Sequence, residues 1–147
     1  RRVATGITRV GFVFSGQGPQ WYAMGRELLR DEPVFRDVIT ECDALLRPLS
    51  GWSLLEQLQA TEGSSRLDDT EVAQPALFAL QAGLAALWKS WGVLPAGVVG
   101  HSVGEIAALH VAGVLSLAEA IRVVLAPVCW LFGQPVDLVH RLRHRSG

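Results

Sequence analysis

Ser102 stands in the stretch Gly100-His101-Ser102-Val103-Gly104, which has the Gly-x-Ser-x-Gly spacing of a nucleophilic serine. A β-branched run, Val98-Val99, leads into it, and an apolar helical pattern follows at once. On such a strand-to-helix turn the serine is exposed at a helix N-terminus, where free N–H groups and the helix dipole favour a developing negative charge. The small residues at 100 and 104 let the flanking backbones cross closely. The stretch therefore predicts a nucleophile elbow at residues 100–104, and the alternative is a glycine-rich turn with an incidental serine.

A serine nucleophile needs a base, and histidine is the most common one. His101 adjoins Ser102, but neighbours on a sharp turn point apart, so we expect it to support the turn. His110 lies two helical turns further on and is expected to pack or to face solvent. His140 and His144 follow in a basic run and are not assigned as the base. No cluster of His, Cys, Asp and Glu has the spacing of a metal site, so no metal is expected.

Two strands must position this serine. Val10–Phe14 is a continuous apolar run, typical of a strand inside a parallel sheet, and residues 97–100 form the second strand. The loop Ser15–Pro19 follows the first strand, and its residues Gly16 and Gly18 either let the backbone approach something closely or simply make the turn. Helical patterns separate the two strands. This order predicts the α/β class, with a short parallel sheet flanked by helices.

Prolines and glycines bound the longer helices in the sequence. One helical pattern begins at Pro33 and is predicted to stop at Pro48 and Gly51. The longest pattern begins at Gln74-Pro75 and is predicted to end at Gly92. The predicted core face of that helix, to which both tryptophans are assigned as packing residues, comprises Leu77, Leu80, Leu84, Leu87, Trp88 and Trp91.

Capping-box pairs start two shorter helices. Ser53 with Glu56 heads a helix that is predicted to end near Leu58. Ser116 with Glu119 heads another, which is predicted to end near residue 127 because a proline there cannot continue it.

The bulk composition bounds the partners and the compartment. The chain has 147 residues, half of them hydrophobic, which predicts one domain with a core, and its net charge of −1 gives no indication of a nucleic-acid partner. Cys42 lies in a helical apolar register, which predicts a buried thiol and a reducing, cytoplasmic compartment. No apolar segment follows Arg1-Arg2 as in a signal peptide, and the uncharged stretch 123–136 is too short to span a bilayer. We therefore expect no membrane partner.

Further motifs follow one another in the sequence. They are Phe12-Val13-Phe14-Ser15-Gly16-Gln17-Gly18-Pro19-Gln20-Trp21 with Met24-Gly25, then Gln74-Pro75-Ala76-Leu77-Phe78, Trp88 with Trp91-Gly92-Val93, the elbow with Glu105, Ala112-Gly113-Val114-Leu115-Ser116-Leu117 and Arg122-Val123-Val124. Together these motifs resemble the N-terminal part of the acyltransferase domain of modular type I polyketide synthases, which is akin to the malonyl-CoA:acyl-carrier-protein transacylases of fatty-acid synthesis. The resemblance covers roughly residues 8 to 125.

The resemblance implies a ping-pong acyl transfer. Ser102 would attack the thioester of an acyl-CoA and hold the acyl group as an ester until the phosphopantetheine thiol of an acyl carrier protein takes it. The oxyanion hole would use the backbone N–H groups of Gln17 and Val103, and Gly16 and Gly18 would let the Gln17 amide reach the site. The implied partners are acyl-CoA, the carrier protein and other synthase domains, with no tightly bound cofactor. Valine at 103 in place of glutamine resembles the malonyl-selecting members.

The chain also departs from the family's pattern. The family has an arginine where this chain has Pro127, and a proline offers no charge to grip a malonyl carboxylate. The family's catalytic histidine, its later sheet strands and most of its ferredoxin-like subdomain come further along than the 147 residues reach. We therefore predict a partial hydrolase-like core at residues 1–127, a non-matching basic tail at 128–147 that is solvated or disordered, and weak or no acyl transfer by the isolated chain.

Two other functions stay open. A serine hydrolase or thioesterase of the α/β-hydrolase type would use the same elbow with water as the acceptor, although its oxyanion donors come from a different kind of loop than residues 16–18. Free acid formed without any carrier protein would favour that function. A non-catalytic, truncated remnant would keep the first half of the family's pattern without its chemistry.

Overall fold

A computed structural model describes residues 9–126 of the chain. In that span the strands and helices follow one another in the order β1 (Val10–Phe14), α1 (Arg26–Asp31), α2 (Pro33–Ser50), α3 (Leu54–Gln59), a 3-10 turn (Glu62–Ser64), α4 (Thr70–Ser90), β2 (Pro95–Gly100), α5 (Val103–Val111) and α6 (Leu117–Leu125). None of these helices is long and apolar enough to cross a bilayer.

The two strands form a parallel sheet, which confirms the predicted α/β class. Phe12 pairs with Val98 and Val13 with Val99, and the register is irregular between Val10 and Gly11. Because side chains alternate along a strand, Phe12 and Val98 pack against the core while Val13 and Val99 point to the opposite side. Val13 is 80% exposed there, so the described residues cover one face of the sheet only. β2 begins two residues earlier than predicted.

Helix α4 is the centre of the core and packs against α2, α3, α5 and α6. It begins at Thr70, so the prediction that it starts at Gln74-Pro75 is wrong. The side chain of Asp69 accepts a hydrogen bond from the N–H of Glu71 and caps the helix there. Pro75 therefore lies inside the helix, where its ring is buried in the core.

Helix α2 begins at Pro33 as predicted but continues through Pro48 to Ser50. Gly51 ends it with a left-handed φ of 79°, a conformation that favours glycine. Cys42 lies on its buried face and is a free thiol with no exposed surface, as the sequence predicted. Burial raises the pKa of this thiol to about 12, because the apolar surroundings disfavour the thiolate.

The two predicted capping boxes differ in the structure. Ser116 and Glu119 form the complete box at the start of α6, each side chain bonding the other's backbone N–H. Ser53 caps α3 by accepting a hydrogen bond from the N–H of Glu56. The Glu56 carboxylate, however, pairs with Arg47 at 3.0 Å, so the second half of that box is not formed.

The tryptophans of the predicted core face are only partly packed. Trp88 and Trp91 lie edge to face, with their ring centroids 5.4 Å apart. Their exposed fractions are 47% and 56%, which corrects their assignment to the core among the described residues. Trp21 is exposed as well, and the helix that follows it begins at Arg26 after the left-handed Gly25. The apolar pattern of these residues identifies a face, and the described part of the chain leaves that face open.

Candidate functional site

Ser102 occupies the sharp turn between β2 and α5, in the strand–turn–helix order that the sequence predicted. Its backbone has a φ of 56° and a ψ of −124°, a conformation that a residue with a Cβ adopts only under strain. The carbonyls of His101 and Ser102 accept hydrogen bonds from the N–H groups of Gly104 and Glu105, at 3.0 and 2.9 Å. The serine side chain is exposed at the N-terminus of α5. The turn thus presents a hydroxyl beside the first amide of the helix, that of Val103, which has no acceptor among residues 9–126.

The glycines at both ends of the elbow are required by close backbone contacts. A Cβ on Gly100 would lie 2.1 Å from the carbonyl oxygen of Gly104. A Cβ on Gly104 would lie 2.3 Å from the carbonyl oxygen of Phe14 at the end of β1. Neither position has room for a side chain, and neither neighbour is a flexible group that could move aside. The reason given for these glycines in the sequence therefore holds in three dimensions.

The loop after β1 lies against the elbow. A Cβ on Gly16 would be 2.9 Å from Nδ1 of His101 and 3.2 Å from Cβ of Ser102, so the loop backbone touches both residues. The N–H of His101 also donates to the carbonyl of Phe14, at 3.1 Å, and ties the elbow to the end of β1. The structure therefore brings the loop at 15–18 and the predicted nucleophile together.

Of the backbone amides at this junction that have no acceptor among residues 9–126, two are the predicted oxyanion donors. One is the N–H of Val103, the first residue of α5, whose side chain is buried. The other is the N–H of Gln17, which lies between Gly16 and Gly18. Gly18 has a φ of 131°, and its own N–H donates to Oε1 of Gln20 at 2.8 Å. Free amides beside a serine hydroxyl are the groups that can stabilise an oxyanion.

Side chains of α4 bind this loop, and the sequence analysis did not find them. Nε2 of Gln17 donates to Oγ1 of Thr70 at 3.1 Å, and Nε2 of Gln74 donates to Oε1 of Gln17 at 3.3 Å. Nε2 of Gln81 donates to the carbonyl of Ser15 at 2.8 Å. The sequence signal for these contacts was spacing. Gln74 follows Thr70 by four residues and Gln81 follows Gln74 by seven, which puts three polar residues on one stripe of an apolar helix.

The described histidines are not placed as a base for Ser102. His110 packs, as predicted: its Nδ1 lies 3.1 Å from the carbonyl oxygen of Leu115, and its ring meets Phe78 edge to face. His101 contacts the loop through Gly16, and within residues 9–126 neither ring is hydrogen-bonded to the serine. Pro127, His140 and His144 lie outside the described residues, as does the predicted tail at 128–147. The described part of the chain contains no group of three or more His, Cys, Asp or Glu side chains that could hold a metal ion.

The sequence matches the family model of the acyl transferase domain over residues 11–127. It is 52% identical over 122 residues to a highly reducing polyketide synthase, pks5, of Leptosphaeria maculans, which covers 82% of this chain and 5% of that protein. It is 54% identical over 116 residues to erythronolide synthase EryA3 of Saccharopolyspora erythraea, covering 79% of this chain and 4% of that one.

Solved structures of acyltransferases also match this chain. A loading acyltransferase from the avermectin modular polyketide synthase matches with a TM-score of 0.75 and 53% identity, over 78% of this chain and 36% of that one. The malonyl-CoA:ACP transacylase of Synechocystis matches with a TM-score of 0.69 and 36% identity, over 80% of this chain and 38% of that one. The chain thus spans little more than a third of these solved domains and about a twentieth of the curated relatives.

Proposed function

Because the chain belongs to the acyl transferase domain family, we propose that it carries the nucleophile and oxyanion loop of an enzyme that moves a malonyl or related acyl group from coenzyme A to an acyl carrier protein. The observation that carries the proposal is the contact between the loop at 15–18 and the strained elbow at Ser102. The loop that carries the free N–H of Gln17 meets the turn that carries the hydroxyl of Ser102 and the free N–H of Val103, which supports the proposal. Acyl transfer needs this combination of groups.

The proposed chemistry has two half-reactions. In the first, the Oγ of Ser102 bonds to the carbonyl carbon of the acyl-CoA thioester, the carbon–sulfur bond breaks, and coenzyme A leaves as a thiol with the serine proton. In the second, the phosphopantetheine thiol of the carrier protein attacks the ester, and Ser102 regains a proton as the acyl group leaves. The N–H groups of Gln17 and Val103 hold the carbonyl oxygen while it carries negative charge. Removing one such donor typically lowers the rate by about 10²- to 10³-fold.

The finer assignments belong to the same proposal. We assign residues 1–127 to the N-terminal part of the domain, with the two-stranded sheet as the beginning of a hydrolase-like core, and residues 128–147 to a basic tail outside the match. Acyl-CoA is a substrate and no tightly bound cofactor is needed. Other domains of a polyketide synthase are expected partners, and the buried free thiol of Cys42 suits a cytoplasmic location. Valine at 103 suits a malonyl unit.

We further propose that the 147-residue chain alone turns over slowly, because no described histidine is hydrogen-bonded to Ser102. The test is intact-mass spectrometry of the folded chain after incubation with malonyl-CoA, with and without imidazole as a substitute base. Ser102→Ala is the matched control. A malonyl adduct that imidazole accelerates and Ser102→Ala abolishes supports the proposal. A folded chain without an adduct under both conditions, or an adduct that persists in Ser102→Ala, overturns the assignment of Ser102 as the nucleophile. A rapidly formed adduct that imidazole does not accelerate overturns the slow turnover. Steady release of free malonate in place of an adduct would instead indicate the hydrolase.

A further inference from the structure

The loop that carries Gln17 lacks restraint from its own backbone. Gly16 is the residue that lets the loop touch Ser102, and Gly18 has a left-handed φ of 131°. Gly16 permits the close approach and Gly18 the positive φ, but together they leave the intervening peptide more orientations than any other residue type would. A backbone donor is useful to a transition state only when its direction is fixed in advance. Other groups must therefore hold Gln17 in place.

The groups that hold Gln17 belong to the first two turns of α4. The Gln17 side-chain amide is bound at both ends, its NH2 donating to the hydroxyl of Thr70 and its carbonyl oxygen accepting from the NH2 of Gln74. A hydroxyl and an amide four residues apart lie on one face of a helix, so the pair matches the two ends of one primary amide. These contacts span more than 50 residues of sequence. They join the oxyanion loop to the core helix.

Thr70 itself is on a fixed support. It is the first residue of α4, and the preceding Asp69 caps that helix through the N–H of Glu71. A hydrogen bond from the Arg66 guanidinium, at 2.6 Å, holds the pKa of the Asp69 carboxyl below its usual range. The capping carboxylate therefore stays ionised at neutral pH, as a helix N-terminus favours. The Thr70 hydroxyl is then a rigid acceptor for the mobile end of a long side chain.

We propose that Thr70 is a positioning residue. By accepting a hydrogen bond from the Gln17 side chain, it fixes the direction of the backbone N–H of Gln17 in the loop that contacts Ser102. The proposal rests on the proposed function, because the donor that it positions is the one assigned to the oxyanion. Thr70 touches neither substrate nor nucleophile and takes part in no bond change. Its effect passes through Gln17 alone, with Gln74 holding the other end of the same side chain.

Two substitutions of Thr70 distinguish the effect of its hydroxyl from the effect of its side-chain shape. Thr70→Val keeps the branched shape and removes the acceptor, whereas Thr70→Ser keeps the acceptor and removes a methyl group. Thr40→Val is the matched control, because the Thr40 hydroxyl donates only within its own helix, to the carbonyl of Arg36. Thr40 is exposed and Thr70 is half-buried at the first position of its helix, so we expect the thermal midpoints of all three variants to stay close to that of the unsubstituted chain.

The first readout is the single-turnover rate at which malonyl-CoA acylates Ser102 in the presence of imidazole, measured against malonyl-CoA concentration. We expect Thr70→Val to lower the maximal rate by about 3- to 10-fold, the equivalent of one net hydrogen bond, with the half-saturating concentration unchanged. Thr70→Ser should restore the rate, and Thr40→Val should leave it unaltered. A Thr70→Val rate equal to that of the unsubstituted chain, or a Thr70→Ser rate as low as that of Thr70→Val, overturns the proposal.

The second readout does not depend on catalysis. Amide hydrogen exchange in the peptide that spans residues 15–20 should be faster in Thr70→Val than in Thr70→Ser or Thr40→Val. If the unsubstituted chain forms no acyl adduct at all, the proposed function fails, and this exchange comparison still decides whether Thr70 holds the loop. Unchanged exchange in Thr70→Val, or faster exchange with an unchanged acylation rate, overturns the positioning role.

Discussion

Replacing Ser102 with glycine is expected to make the chain more stable than replacing it with alanine. Ser102 has a φ of 56° and a ψ of −124°, and a residue with a Cβ in such a region costs about 1–3 kcal/mol. Alanine keeps the Cβ and therefore the strain. Glycine removes the strain, but it costs about 0.5–1 kcal/mol in the entropy of the unfolded chain. The difference favours Ser102→Gly over Ser102→Ala by about 1 kcal/mol.

Urea unfolding monitored by circular dichroism measures this difference. With an unfolding slope of about 2 kcal/mol per molar urea, the midpoint of Ser102→Gly should lie about 0.5 M above that of Ser102→Ala, with the slope unchanged. Ala23→Gly is the matched control, because Ala23 is the other non-glycine residue among the described ones with a positive φ, at 67°. It lies outside the elbow, and relief of its left-handed conformation should also raise the midpoint. Gly113→Ala, at a φ of 78°, should lower it.

The pattern across these variants decides whether the reasoning is right. If Ala23→Gly raises the midpoint and Ser102→Gly does not exceed Ser102→Ala, the elbow is not strained at the serine in solution. If both glycine substitutions lower the midpoint, the unfolded-state entropy of glycine outweighs the backbone strain at these positions, and the strain is smaller than about 1 kcal/mol. Either result would remove strain as the explanation for the exposed position of the hydroxyl.

Three further predictions follow from single residues. Gly100→Ala should lower the free energy of unfolding in urea by at least about 3 kcal/mol, because its Cβ would lie 2.1 Å from a backbone oxygen of α5. Gly97→Ala in the same strand is the control, since its Cβ would meet open space and stability should not change. Cys42 should resist alkylation by iodoacetamide at pH 8 in the native chain and react in denaturant, because burial raises the pKa of this thiol to about 12. Rapid alkylation of the native chain would contradict this prediction. Hydrogen bonds from Ser116 lower the pKa of Glu119 in the folded chain. The stabilisation that the Glu119 carboxylate provides is therefore full above the pKa of the unfolded chain and is lost as the pH falls through the lower pKa of the folded chain. The unsubstituted chain should thus be more stable than Glu119→Gln at pH 7 but not in strong acid, and an advantage that persists in acid would contradict the assignment.

Features that depend on neighbours in the sequence could be predicted. The complete capping box of Ser116 and Glu119 involves residues three positions apart, and within residues 9–126 no distant group bonds to either side chain. At Ser53 the same pattern gave half a box, because Arg47 approaches from the preceding helix and takes the Glu56 carboxylate. A local rule therefore holds until a tertiary contact offers one of its members a stronger partner, here an opposite charge.

The prolines show the same limit in helix boundaries. The rule that proline occupies the first helical position predicted that α4 begins at Gln74-Pro75, but Asp69 caps the helix earlier and Pro75 is buried in its second turn. Pro48 is likewise inside the last turns of α2. Burial of the Pro75 ring in the core offsets the lost helical hydrogen bond, whereas the Pro48 ring is exposed. The sequence alone indicates neither environment.

The sequence indicated the residues of the candidate site that are contiguous and missed those that are not. Ser102 and its glycines form one stretch, so their spacing was visible. Thr70 and Gln81 bind the loop from a helix more than 50 residues away, and as polar positions of an otherwise apolar helix they gave only a weak signal. The apolar face that carries Trp88 was also visible as a pattern, but hydrophobicity does not say what covers a face.

The two pairs of glycines in the site differ in what depends on them. Gly100 excludes a side chain because its backbone touches the start of α5, and Gly104 because its backbone touches Phe14 of β1, so the elbow forms whenever β2 and α5 pack on β1. Gly16 and Gly18 border a loop that side chains of α4 hold in place. A variant can therefore keep its fold, its elbow and its serine and still lose the amide of Gln17. For this reason unfolding assays test the elbow, and only the acylation rate or hydrogen exchange in the loop tests the proposed oxyanion donor, the backbone N–H of Gln17.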